Sequence, residues 1–96
     1  MKIQISDSAY TDIETGQLFY ESQESGLGVY FQDSLFSDID SLQFYAGIHP
    51  VQYGKYRLLS KKFPYAIYYY IDENKVIVSA VLDCRRNPVW IKERLS

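Results

Sequence analysis

Close to the C-terminal end the chain reads Arg85-Arg86-Asn87-Pro88, a pattern that places two guanidinium groups at the start of a helix. Asn87 is suited to the N-cap and Pro88 to the first helical position. The free backbone N–H groups of that turn and the arginine pair would together favour a carboxylate or phosphate. The internal alternative is that the arginines pair with acids such as Asp38 or Asp40. Other reactive side chains are few. His49, the only histidine, precedes a proline and reads as a loop residue rather than a base. Cys84, the only cysteine, has no histidine in sequence reach. Beside Arg85 and Arg86 its thiol could ionise more readily, but a small strand-end residue is the simpler reading. No Cys/His cluster has metal-ligand spacing and no glycine-rich phosphate loop occurs, so neither metal nor cofactor is expected.

The charges are segregated. Residues 1–54 carry one Lys against eight Asp and Glu, whereas residues 55–96 carry nine Lys and Arg against four acids. The net charge of −2 therefore hides an acidic front and a basic back. The basic half is expected to meet something anionic, protein or nucleic acid. At 96 residues one domain spanning 1–96 with one modest core is expected. The single cysteine fits a reducing compartment. Met1–Ile5 runs straight into Ser6 and Asp7 with no signal-peptide core, and the apolar stretches near 65–71 and 76–82 are too short to span a bilayer. A cytoplasmic protein without membrane contact is the expectation.

The elements that must position these groups follow from periodicity. Lys2 to Ile5 alternates polar and apolar, as a strand does. Ser6 or Asp7 caps a helix over about 7–24, with Ala9, Ile13, Phe19 and Tyr20 near one face and a break at Ser25-Gly26. Phe31, Leu35, Ile39, Leu42 and Ala46 form a core-facing stripe along a second helix, about 27–46. The spacing leaves 47–54 as a loop, then strands over 56–60, 65–72 and 75–83, separated by Lys61-Lys62-Phe63-Pro64 and Asp72-Glu73-Asn74. The last strand, almost wholly apolar, should be buried on both faces. A short helix ends the chain, with Trp90, Ile91 and Leu95 inward and Lys92 and Arg94 outward. The fold class is α+β in β-α-α-β-β-β-α order, a helical hairpin packed on a mostly antiparallel four-stranded sheet.

Ten tyrosines suit half-exposed sheet faces and interfaces. Tyr69 should join Ile67 and Ile71 beneath the hairpin. Tyr68 and Tyr70 should join Ala66 on the opposite, more open face, beside Arg57 or its neighbours. Such a face suits an acidic amphipathic peptide, and Tyr10, Tyr20 and Tyr30 offer anchors for a second groove on the hairpin.

The element order, YRLLSKKFPYAIYYYID and AVLDCRRNPVW together resemble the RelE/ParE superfamily of toxins from bacterial type II toxin–antitoxin systems. The resemblance covers nearly the whole chain. It implies a toxin neutralised by a cognate antitoxin, and either of two activities: ribosome-dependent mRNA cleavage, as in RelE-like members, or poisoning of DNA gyrase, as in ParE-like ones. The RelE-like catalytic set maps onto this chain incompletely. Arg57 and Arg86 match its first-strand and post-strand arginines, so these two would be catalytic in a nuclease. The second basic strand position is Leu59, the next strand's arginine falls on Ala66, and the late tyrosine falls on Lys92, with Trp90 the nearest aromatic. The ParE-like reading is therefore preferred, with no catalytic residues. Its expected target-binding surface is Arg57, Lys61, Lys62, Arg85, Arg86 and Trp90; its antitoxin-binding residues are Tyr10, Tyr20, Tyr30, Tyr68 and Tyr70. A nuclease acting on ribosome and mRNA is the alternative, and a non-lethal binding module in a stable antitoxin complex is a third.

Overall fold

In a computed structural model that describes residues 1–96, the order is β1 (Lys2–Ile5), α1 (Asp7–Gln23), α2 (Leu27–Asp40), α3 (Leu42–Tyr45), β2 (Val51–Gln52), β3 (Lys55–Leu59), β4 (Tyr65–Asp72), β5 (Lys75–Asp83) and α4 (Pro88–Leu95). The strands form one five-stranded sheet, β1-β5-β4-β3-β2, antiparallel except where β1 joins β5. The fold class is the expected α+β one. The fifth strand arises inside the expected loop, where the Tyr53-Gly54 turn folds Val51–Gln52 back on Lys55–Tyr56. Both turn residues have positive φ, 54° and 78°, the pattern of a two-residue type I′ hairpin.

Local chemistry explains the helix ends. The Ser6 hydroxyl accepts from the Ala9 N–H at 3.1 Å, and Asn87 Oδ1 from the Val89 N–H at 2.9 Å with Pro88 at the first position. The Glu21 carboxylate accepts from the N–H groups of Gly26 and Gly28, tying the α1–α2 corner together. The expected second helix is interrupted at Ser41, which separates α2 from the one-turn α3. Its stripe nevertheless holds: Phe31, Leu35, Ile39 and Leu42 are buried.

The hairpin of α1 and α2 covers one sheet face, its stripe meeting Tyr65, Ile67, Tyr69, Val76, Val78 and Val81. On the other face α4 lays Ile91 and Leu95 on Ala66, Tyr68, Ala80 and Leu82. The face expected to be open is thus partly closed. Tyr68 is 1% exposed, whereas Tyr70, beyond the reach of α4, is 40% exposed. A β-bulge at Ser79 makes this two-sided burial possible. Tyr68 pairs with Ala80 but Tyr69 with Val78, so the extra residue reverses the alternation of β5, and Val76, Val78 and then Val81 share one face.

Candidate functional site

The β3–β4 turn and the end of β5 lie at one end of the sheet, where the Cys84 N–H donates to the Pro64 carbonyl at 2.8 Å. Most of the expected target-binding residues gather at this end, on both sides of it. On the α4 side, pairing places Arg57 opposite Tyr68. The Arg57 Nε donates to the Tyr68 hydroxyl at 3.3 Å and its Nη2 to Cys84 Sγ at 3.6 Å. Burial opposes the Arg57 charge, but the Tyr68 and Cys84 contacts outweigh it and hold the guanidinium firmly ionised. Arg57 is a half-buried cation with two of its donor groups engaged.

Arg85 and Arg86 part company. Arg85 folds back on Asp83, with Nε to Oδ1 at 2.9 Å and Nη2 to Oδ2 at 2.7 Å. These bonds hold the Asp83 carboxyl below its ordinary range. Arg86 has no carboxylate within ion-pair distance; its guanidinium lies 3.8 Å from the centre of the Trp90 ring, a cation–π arrangement. Neither arginine takes the internal partner considered from sequence. Asp38 is buried beside the β3–β4 turn, accepting from the Lys61 N–H at 3.4 Å. Arg94, expected to face outward, instead reaches across to α1, where its Nη2 donates to Asp12 Oδ1 and Oδ2 at 2.5 and 2.6 Å.

On the hairpin side, Lys61 and Lys62 are exposed beside α2, where they meet Tyr30, Asp33 and Asp38 around a cavity of about 210 Å³. Lys62 Nζ sits 5.1 Å from the Tyr30 ring centre. The basic residues therefore fall into separate groups: Arg57 on β3 against Tyr68 and Cys84, Arg86 over Trp90 at the α1–α4 cleft, and the lysine pair against α2.

The tyrosines expected to bind a partner are also divided. Tyr10, Tyr30 and Tyr70 are 51%, 47% and 40% exposed. Tyr20 is half-buried, stacked on Phe31 and edge-on to Phe63. Tyr68 lies beneath α4, its ring packed in the second core and its hydroxyl bonded to Arg57. Tyr20, partly exposed, belongs to the aromatic cluster of the hairpin, and Tyr68 to the core beneath α4.

A larger cleft, about 440 Å³, opens between α1 and α4 and is lined by Asp12, Thr15, Gly16, Phe19, Tyr65, Val81, Leu82, Asp83, Arg86 and Trp90. Burial, then the charge of Asp83, pushes the Tyr65 hydroxyl up to about 12, so it stays protonated. Burial likewise raises the Asp12 carboxyl despite its bonds to the Val81 N–H and Arg94. No spacing in the sequence joins Asp12 to Arg94. The Arg57–Tyr68 pair, by contrast, follows from counting outward from the Lys61–Pro64 turn.

His49 lies away from all of these groups. The Gly47 N–H donates to the Tyr69 hydroxyl at 2.9 Å, and that hydroxyl is hydrogen-bonded to His49 Nδ1 at 2.5 Å. Burial lowers the His49 pKa, and the ring is engaged in this structural contact. No group of three His, Cys, Asp or Glu side chains is placed to hold a metal ion, and no helix is long and apolar enough to cross a membrane.

No family model and no curated protein matches the chain. Among solved structures, it matches a chain described as "Chromosomal ParDE TA system from P. aeruginosa" with a TM-score of 0.74 and 14% identity, over 84% of this chain and 92% of that one. At that identity the likeness speaks for the fold, which is ParE-like.

Proposed function

We propose that this chain is the toxin of a type II toxin–antitoxin pair. It acts in the cytoplasm as a ParE-like, non-enzymatic inhibitor of DNA gyrase, and a cognate antitoxin holds it in check. The fold it shares with a chain of a ParDE toxin–antitoxin system supports the toxin assignment. The composition of the cation site carries the choice of mechanism. RNA cleavage by 2′-OH attack needs a base and an acid beside the phosphate-holding cations. Around Arg57 the available groups are the buried Tyr68 hydroxyl and Cys84, and beside Arg86 stands an indole. His49 is committed to Tyr69. Cations with an aromatic platform, whose nearest hydroxyl and thiol are both bonded to Arg57 itself, suit a binding surface better than a cleavage site.

Within that surface Arg86, Trp90 and Arg57 are the proposed target contacts, with Lys61 and Lys62 as a second patch. Arg85 contributes less, because Asp83 already neutralises it. Tyr10, Tyr30 and Tyr70 are the proposed antitoxin anchors. The deciding experiment is to induce the chain alone in a bacterial host and follow thymidine and methionine incorporation side by side. Early arrest of DNA synthesis, with gyrase–DNA cleavage complexes recoverable from the cells, is the expected result. Early arrest of translation with cut mRNA would instead favour the nuclease reading.

A further inference from the structure

The bulge at Ser79 has a consequence at the sheet edge. β1 pairs with β5 only as far as Ile5 opposite Val78, and the chain then leaves into α1. β5 continues for five more residues, Ser79–Asp83, with no strand on that side. Because the Cys84 N–H points to Pro64 on the β3–β4 side, alternation turns the backbone groups of Val81 and Asp83 the other way. The Ser6 hydroxyl covers the Ser79 carbonyl, and Asp12 Oδ2 accepts from the Val81 N–H at 3.0 Å. The Val81 carbonyl and Asp83 N–H meet no protein partner. They line the cleft between α1 and α4, whose far end is tied by Arg94 and Asp12.

From this geometry we infer that the cleft is a strand-addition slot for an extended, carboxylate-bearing peptide segment, which continues the line of β1 along Val81–Asp83. The exposed backbone donor and acceptor call for an extended chain rather than a helix. At ~3.3 Å per residue the open edge takes about three residues. Charge selects the side chains. Asp83 and Asp12 are neutralised by Arg85 and Arg94, which leaves Arg86 as the cation without an anion. Its guanidinium lies over the Trp90 ring at the cleft wall. Alternate side chains of the docked segment would meet Phe19 on the α1 side and Trp90 on the α4 side, and a carboxylate on the latter side reaches Arg86.

The segment's source as an antitoxin tail rests on the proposed function. In that setting, occupation of the slot masks Arg86 and Trp90 and thereby neutralises the toxin.

Trp90 is the only tryptophan, so its fluorescence reports directly on the slot. The full chain is titrated with a blocked heptapeptide alternating Val and Glu, with its Val–Lys counterpart and with a Val–Glu version N-methylated on alternate amides. Amide NMR shifts are recorded in parallel. The expected result is a fluorescence change and shifts at Val81 and Asp83 with the Val–Glu peptide alone. Arg86→Gln should weaken binding by about tenfold, as loss of a charge-assisted hydrogen bond does. Asp83→Pro, which deletes an N–H outside the β4 ladder, should abolish binding, and Asp83→Asn, which keeps that N–H, should preserve it. Circular dichroism confirms that each variant is folded. Peptide shifts located on the hairpin, indifference to peptide charge, or unchanged binding by a folded Asp83→Pro protein would each overturn the slot. None of these readouts depends on growth inhibition, so a harmless chain that still binds the peptide would remove the toxin reading and leave the slot standing.

Discussion

Arg94→Ala tests the tie between α4 and α1. Removing the guanidinium leaves the Asp12 carboxylate, whose side chain is 13% exposed, with only the Val81 N–H as a partner. Breaking a fully buried pair costs about 3–5 kcal/mol. With the Arg94 side chain itself 27% exposed, water screens part of the charge, and about 2 kcal/mol is the working figure. For a chain of this size that corresponds to a fall in midpoint of about 8–16 °C. The pH dependence makes the test specific. Arg94 acts to lower the Asp12 pKa against the effect of burial, so its loss raises that pKa further. The folded variant then binds a proton more readily than the unfolded chain. Its deficit is greatest near neutral pH and shrinks as Asp12 protonates in acid. Asp12→Asn retains an acceptor for the Val81 N–H without a buried charge and should cost less than Arg94→Ala near neutrality. Thermal unfolding by circular dichroism near pH 7 and near pH 4 separates the possibilities. A drop under about 3 °C at neutral pH, or an equal drop at both pH values, would refute the buried-charge argument.

Gly16→Ala should destabilise by about 1–3 kcal/mol, because a Cβ there would stand 2.6 Å from Phe31 Cζ; chemical denaturation measures it. Tyr69→Phe strands the Gly47 N–H and breaks the His49 hydrogen bond, and a loss of about 1–2 kcal/mol in the same assay is expected. Burial depresses the folded pKa of His49 below its ordinary 6.5, so its contribution to stability is present above that value and lost as pH falls through the folded pKa. A His49→Gln protein should show a flatter stability profile over that window. For the proposed target surface, Arg86→Ala should relieve growth inhibition while Arg85→Ala leaves most of it, since Arg85 is spent on Asp83; equal effects in a plating assay would place the contact elsewhere.

Local rules reached a long way into this molecule. The cap at Asn87, the buried stripe from Phe31 to Leu42, the Lys61–Pro64 turn and the split of Tyr69 from Tyr68 each depend on residues a few positions apart and are legible in the sequence, whereas for the first helix it leaves Ser6 and Asp7 both open as the cap. The Tyr53-Gly54 hairpin escaped because so short a strand pair carries almost no periodic signal. The cover over Tyr68 is hidden from the sequence for a different reason. Alternation assigns a side chain to a face of the sheet, but it does not say whether another element covers that face, and α4 covers Tyr68.

Electrostatic pairing shows the division most clearly. The sequence alone determined the acidic and basic halves, the paired arginines and the cationic turn, because charge is a property of residue type. Only the tertiary structure decided that Arg94 crosses 82 positions to Asp12 and that no carboxylate reaches Arg86. Those choices depend on where the bulge at Ser79 turns β5 and on how α4 lies across the sheet. Both follow from packing two cores at once, and no local stretch of sequence encodes that condition by itself.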